Sequence, residues 1–145
     1  MKRNIATPSM IRIYRRIDQQ GYAIMEFALV SKGYYVGWGI LRHLKNTDFK
    51  EQGHRFILES LNTFSSRNGD LKNQRLKMAG QEPFHINYDL VSIEAIPPAS
   101  LRLIPYRRGE MQHQQMPQEA IVLNTSASTE DFLQAMEEAF LRGQA

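Results

Sequence analysis

Three apolar runs follow one another near the start of the chain, and only a few residues join each run to the next. In the first run Ile11 and Ile13 alternate with polar residues, which predicts a strand with one buried and one solvated face. Gly21 and the sequence SKG (31–33) supply the turns. Parallel strands need a crossover of about a dozen residues or more, so connections this short favour antiparallel pairing. The three predicted strands cover residues 10–17, 22–30 and 34–41.

A helix and a second group of strands follow. Asp48 and Glu51 have the spacing of a capping box, and the apolar residues after them predict a helix that ends at Asn68 and Gly69. The apolar stripe of this helix consists of Phe49, Phe56, Ile57, Leu61 and Phe64. Further strands are predicted at 84–95, 100–108 and 120–124, with a Gln-rich loop at 109–118 and a closing helix capped by STED (128–131).

The predicted order of elements is βββ-α-βββ-α. Short strands in runs, with helices between and after them, are typical of an α+β fold. We therefore expect a mainly antiparallel sheet of about six strands, covered by a single layer of two helices. Pro105 lies within the strand 100–108, and because proline lacks the N–H that a ladder needs, this strand is predicted to lie at an edge or to bend there.

The 145 residues contain no linker that would divide them, which predicts one α+β domain at 10–145. Residues 1–9 lack periodicity and are predicted to form a flexible tail, with Met10 as an alternative start. The absence of cysteine excludes disulfide scaffolds and thiol nucleophiles. No apolar run approaches the roughly 18 residues of a membrane span, and the first residues lack the apolar stretch of a secretory signal, so a cytoplasmic location is expected.

Charge is distributed unevenly along the chain. Residues 1–77 carry 14 basic and 6 acidic side chains, whereas residues 78–145 carry 4 and 9. Such asymmetry indicates a basic surface for nucleic acid or for an acidic partner protein. The residues predicted to bind the partner share one face of the first strand, with Arg15 beside them, or end the strand 100–108: Arg12, Tyr14, Arg16, Arg107 and Arg108.

Other site chemistry has less support. The four histidines have none of the spacings that clamp a metal ion, so no metal site is predicted, and His54 is expected on the polar face of the first helix. No phosphate-binding glycine motif occurs, and no cofactor is predicted. His85, Asn87 and Asp89 share one face of a predicted strand, which leaves an enzyme with a site there as an alternative.

The segment KGYYVGWGILRHL (32–44), followed by a helix, resembles the WGR domain, a small DNA-associated module. Trp38 and Gly39 match its Trp-Gly-Arg motif, whereas Ile40 stands where that family has arginine. The resemblance covers residues 10–68 at most. It implies a nucleic-acid-binding module that uses the basic strand face, in which arginine contacts phosphate and exposed aromatic rings stack on bases.

In size and arrangement the chain also resembles the immunity proteins of bacterial toxin–immunity pairs, including those of contact-dependent growth inhibition. This resemblance depends on the missing cysteines, the start on the strand MIRIYRRI (10–17) and the closing amphipathic helix EDFLQAMEEAFLRG (130–143), without a diagnostic motif. It implies a non-enzymatic protein that binds a cognate toxin and blocks its active site or target surface. Since the N-terminal half is basic, the toxin is expected to present an acidic patch. This is the leading hypothesis.

Overall fold

A computed structural model describes residues 10–17, 19–21, 23–31, 34–44, 46–63, 87–110 and 112–144. The strands in this part of the chain are β1 (Met10–Ile17), β2 (Ala23–Ser31), β3 (Tyr34–Leu44), β4 (Asp89–Ile96), β5 (Ser100–Arg108), β6 (His113–Gln115) and β7 (Ile121–Asn124). The helices are α1 (Asn46–Thr63) and α2 (Thr129–Gln144), and a 3₁₀ turn at Pro117–Glu119 precedes β7. The predicted tail at residues 1–9 and the predicted helix end at Asn68 and Gly69 lie outside the described residues.

The seven strands form one antiparallel sheet in the order β3-β2-β1-β4-β5-β6, with β7 also paired to β5. The predicted α+β class, with helices on an antiparallel sheet, is therefore confirmed. Within the described ranges the structure adds one short strand to the prediction, because β6 lies inside the segment predicted as a Gln-rich loop. Strand β1 pairs with β2 on one side and β4 on the other, so the strand with the predicted basic face lies inside the sheet.

Both described helices cover the same face of the sheet. On β1 this face carries Ile11 and Ile13, which are fully buried, and their neighbours on β4 are Val91 and Ile93. The helices add apolar side chains of α1 and α2 to the same core: Ile57, Leu61, Phe132, Ala135, Met136, Ala139 and Phe140. We call this side of the sheet the helix face.

The opposite side of the sheet, which we call the open face because neither α1 nor α2 covers it, has its own buried cluster. It contains Tyr14, Ala28, Leu90, Ile104 and Tyr106, with further apolar side chains packed around them. The period of two along each strand separates these residues from the helix face.

Pro105 lies at a change of partner along β5. The residues before it pair with β7 and those after it pair with β6. Its carbonyl oxygen accepts a hydrogen bond from the backbone N–H of Met116, 2.9 Å away, on that same side of β5. In an antiparallel strand the N–H and C=O of one residue point to the same side. The N–H that Pro105 lacks would therefore point to the side of β6 and β7, at the position where β5 changes from one partner to the other. Proline is thus tolerated in a strand with neighbours on both sides.

Helix α1 turns Ile57 and Leu61 of its predicted apolar stripe to the core, but not Phe56. Gly53, Ile57 and Leu61, spaced four residues apart, are buried, whereas Phe56 is 37% exposed. The expectation that His54 lies on the polar face is wrong. His54 is 7% exposed, its Nδ1 lies 2.9 Å from Thr129 Oγ1, and its ring stacks on Phe132 at 4.3 Å. The imidazole joins α1 to the first turn of α2.

Helix α2 begins where the sequence predicts. Ser128 Oγ accepts a hydrogen bond from the backbone N–H of Asp131 at 3.1 Å, which confirms the predicted cap. Near the other end, Gly143 lies so close to the carbonyl oxygen of Tyr106 that a Cβ would overlap it, so glycine allows α2 to approach β5. Neither helix of the described part is both long and apolar enough to cross a membrane.

Candidate functional site

The antiparallel sheet brings the two predicted basic segments together. Strands β1 and β5 both pair with β4 in the antiparallel sense, so their C-terminal ends lie at the same end of the sheet. Arg16, Arg107 and Arg108 are exposed at this end. We call these three residues the basic end. The sequence predicts Arg107 and Arg108 as a basic patch separate from that of β1. In the fold they lie at the same end of the sheet as Arg16.

Arg12 and Tyr14 lie further inside the sheet, on the open face. The Arg12 guanidinium donates a hydrogen bond through Nη1 to the Tyr14 hydroxyl at 3.2 Å. Tyr14 is only 1% exposed. Its ring is therefore part of the packed cluster, and the prediction of an exposed aromatic ring available for base stacking is wrong at this position. Arg12 and Tyr14 therefore contribute to the packing of the open face.

Three aromatic residues missed by the sequence analysis complete this arrangement. Tyr88 meets the Tyr14 ring edge-on at 6.5 Å between centroids, and His113 meets it from another side at 6.1 Å. Tyr106 lies under the Arg12 guanidinium, whose Cζ is 5.4 Å from the ring centroid. We call the five residues Arg12, Tyr14, Tyr88, Tyr106 and His113 the open-face cluster. The sequence does not indicate His113 because its segment is predicted as a loop. It does not indicate Tyr88 and Tyr106 because periodicity along one segment does not show which residues of other segments pack against it.

The Tyr106 hydroxyl is held by polar neighbours. Ser92 Oγ donates to it at 3.2 Å, and Gln115 Nε2 donates at 3.3 Å. Ser92 is fully buried. Buried polar groups in folded proteins generally have hydrogen-bond partners. These two hydrogen bonds also hold the Tyr106 ring in the orientation in which the Arg12 guanidinium lies over it.

Arg15 faces the other way. The period of two places it on the helix face, where its guanidinium forms an ion pair with Glu137 of α2 at 2.5 Å and lies 3.9 Å from the centroid of the Phe140 ring. Its side chain is largely buried. Arg15 thus connects α2 to the sheet, whereas the sequence predicts it beside the residues of the basic surface.

Arg108 connects β5 to the residues at the start of β4. Its Nη1 donates to the carbonyl oxygen of Asn87 at 2.9 Å, and its Nε lies 3.6 Å from Asp89 Oδ1. Asp89 also accepts a hydrogen bond from Gln144 Nε2 at 3.0 Å. In the alternative enzyme site, the Asp89 carboxylate therefore has contacts that stabilise the fold, whereas Asn87 contributes its backbone carbonyl to the contact with Arg108. His85, the third, lies outside the described residues.

His113 lies between the positive charges of the open face. Burial is the main cause that lowers its pKa from 6.5, and the nearby charges of Arg12 and Arg108 lower the pKa further. The Tyr88 carbonyl, 2.6 Å from Nε2, and the Asp89 carboxylate act in the opposite direction. Neutral imidazole with its proton on Nε2 satisfies this geometry, because the carbonyl accepts the hydrogen bond.

We expect the protein to lose stability as the pH falls from about 7.5 to about 5.0. Since the pKa of His113 is lowered in the folded state, the unfolded chain takes up a proton first when the pH falls below 6.5. The contribution to stability is complete above that pH and is lost below it. Urea midpoints at the two pH values measure the loss, which His113→Gln should reduce.

His54 provides the comparison for this prediction. Burial lowers its pKa as well, so His54→Gln should remove its own part of the loss, and the double variant should remove both parts. If His113→Gln shows the same pH dependence as the unmodified protein, the interpretation of His113 is wrong.

Trp38, Gly39 and Ile40, which carry the WGR resemblance, all lie in β3. Trp38 pairs with Ala28 and Gly39 with Phe27 in the ladder between β2 and β3. The side chains of β3 lie outside the described part of the structure. The motif is therefore located on a strand, as predicted, and its role stays a prediction.

Comparison with known proteins adds a likeness of fold. The sequence matches no protein-family model and no curated protein. The structure is similar to that of a protein of unknown function from Neisseria meningitidis, with a TM-score of 0.56 and 14% sequence identity. The similarity covers 98% of this chain and 99% of the other. At this identity the likeness concerns the fold alone, and the two chains share it over nearly their whole length.

Proposed function

We propose that this protein is a non-enzymatic binding protein, specifically an immunity protein that neutralises a cognate bacterial toxin by direct contact. The observation that carries the proposal is the convergence of Arg16, Arg107 and Arg108 at one exposed end of a sheet. Positive charges on a rigid frame speed the encounter with an acidic patch and select the orientation of the partner.

The contacts that Arg16 and Arg108 make with neighbouring residues support the same proposal. Arg16 lies over the Tyr88 ring, with its Cζ 5.5 Å from the centroid, and Tyr88 packs edge-on against the buried Tyr14. Arg108 is held by Asn87 and Asp89. Arginines that are oriented before binding lose less conformational entropy in a complex, and arginine is common among the residues that dominate binding energy.

Co-expression tests the proposal. We expect the protein to co-purify with the product of the neighbouring reading frame and to protect cells that express that product. Charge attraction of this kind weakens with salt, so the complex should form faster at low ionic strength. If no complex forms and cells are not protected, the proposed function is wrong.

Nucleic acid is the competing partner for the same arginines. Binding to single-stranded DNA would weaken with salt so that the logarithm of the binding constant falls linearly with the logarithm of salt concentration. Because Tyr14 is buried, stacking on this ring is not available to support such binding. An anisotropy titration at two salt concentrations measures this. Tight binding with that salt dependence, together with no bound toxin, would favour the nucleic-acid-binding alternative.

A further inference from the structure

Tyr88, which directly precedes β4, is held by three strands. Its ring meets the buried Tyr14 of β1 edge-on, with 6.5 Å between centroids. Its carbonyl oxygen lies 2.6 Å from Nε2 of His113 in β6. The preceding carbonyl, that of Asn87, accepts a hydrogen bond from Arg108 of β5 at 2.9 Å. A side chain fixed in this way loses little conformational freedom when a partner binds.

Arg16 lies beside Tyr88 across the sheet. The ladder between β1 and β4 pairs Arg15 with Asp89, and the same register brings Arg16 next to Tyr88. The Arg16 Cζ is 5.5 Å from the centroid of the Tyr88 ring, within the roughly 6 Å over which an aromatic ring attracts a cation. Arg16 is exposed and Tyr88 is half-buried. The pair thus presents a ring and a positive charge at one point of the surface.

Arg16 differs from its neighbouring arginines in the use of its hydrogen-bond donors. Arg12 donates to a tyrosine hydroxyl of the open-face cluster, and Arg108 pairs with Asp89 at 3.6 Å. Within the described part of the chain, Arg16 contacts the Tyr88 ring and forms no ion pair. Attraction to a ring uses the charge of a guanidinium and leaves its N–H groups for other acceptors. Arg16 can therefore offer two parallel N–H groups to a carboxylate.

We propose that Tyr88 is a positioning residue of the binding surface, which holds Arg16 where its guanidinium pairs with a carboxylate of the partner protein. A flexible arginine would lose side-chain entropy in forming the same pair, whereas the ring restricts Arg16 before the partner arrives. A nucleobase fits less well, because it would have to displace the guanidinium from the ring face in order to stack there. The inference rests on the proposed function in one respect, since it takes the carboxylate to belong to a protein.

The first test uses the full chain without the toxin. The Nε–H signal of Arg16 in NMR spectra reports on the guanidinium, and the probe is an acetylated and amidated hexaglutamate peptide, compared with hexalysine and with a thymidine hexanucleotide. We expect hexaglutamate to shift this signal and hexalysine to leave it unchanged. Tyr88→Leu should weaken hexaglutamate binding about two- to fivefold, the effect of one exposed ion pair. Tyr88→Phe, which keeps the ring, should bind as the unmodified protein does.

The second test measures the rates of toxin binding by surface plasmon resonance. Tyr88→Leu should raise the dissociation rate about two- to fivefold. Its association rate should hardly change, because charge steers the encounter and no charge is removed. In the Arg16→Ala background the same substitution should have little further effect, since the ring acts through Arg16. Phe56→Leu is the matched control, because it removes a ring that is 37% exposed on α1, and it should bind normally. Amide spectra check that each variant is folded.

The proposal is wrong if folded Tyr88→Leu binds hexaglutamate as tightly as the unmodified protein does, or if its effect is the same with and without Arg16. Tighter binding of the thymidine hexanucleotide than of hexaglutamate at Arg16 would also overturn it. Its failure can be told apart from failure of the proposed function. A toxin complex that Tyr88→Leu forms with unchanged rates removes the role of Tyr88 but leaves the immunity function. The expected response to hexaglutamate without any toxin complex has the opposite meaning.

Discussion

Phe140→Ala should destabilise the protein by about 3–5 kcal/mol, the range for removing a large aromatic side chain from a core. Phe140 is 1% exposed and belongs to the core on the helix face. Its ring also lies 3.9 Å from the Arg15 guanidinium, so the substitution removes the aromatic contact of a mostly buried charge that is paired with Glu137 of α2. Because single domains are stable by only about 5–15 kcal/mol, the loss is a large fraction of the total. Urea denaturation followed by circular dichroism measures it.

Leu141→Ala is the matched control. Leu141 is the next residue of the same helix and is 53% exposed. Its truncation should change the free energy of unfolding by no more than about 0.5 kcal/mol. Equal effects of the two variants would show that the end of α2 is not packed as described.

Under the proposed function, Arg16→Glu should weaken binding of the toxin by about tenfold or more, which corresponds to about 1.4 kcal/mol. Arg16 is exposed at the basic end. Reversal of its charge removes an attraction to the expected acidic patch and adds a repulsion. Most of the change should be in the association rate, and it should shrink as salt rises. Surface plasmon resonance at two ionic strengths gives both rate constants.

Arg55→Glu controls for total charge in this experiment. Arg55 is exposed on α1, which lies on the helix face, so its reversal changes the net charge by the same amount at a distance from the basic end. We expect little loss of affinity. If both variants weaken binding equally, the overall field of the protein drives the association and the basic end has no special role.

Strands β1 and β5 were predictable from sequence to the residue. β1 spans Met10–Ile17 and β5 spans Ser100–Arg108, as expected, because short alternation and bounding turns are local signals. The cap of α2 at Ser128 was predictable for the same reason, since a cap depends on residues three positions apart. Each of these features is decided by contacts close in sequence.

Errors arose where a contact with another segment decides the outcome. His54 is polar and was placed on the outside of α1, yet Thr129 and Phe132 of α2 give it a hydrogen bond and a stacking partner. Segment 113–115 lacks apolar residues and was predicted as a loop, yet it pairs with the end of β5. His54 and its partners on α2 are far apart in the chain, whereas β6 pairs with β5 across a short turn. In both cases the stabilising partner lies outside the segment, and the periodicity of that segment carries no information about it.

The candidate site divides in the same way. The sequence by itself determined which residues supply positive charge, and the alternation along β1 put Arg12, Tyr14 and Arg16 on one face. Only the tertiary structure decided that Tyr14 is buried and that Arg107 and Arg108 join Arg16 at the same end of the sheet. The physical reason is range: strand alternation follows from backbone geometry within a few residues, whereas burial and convergence depend on which strands pair.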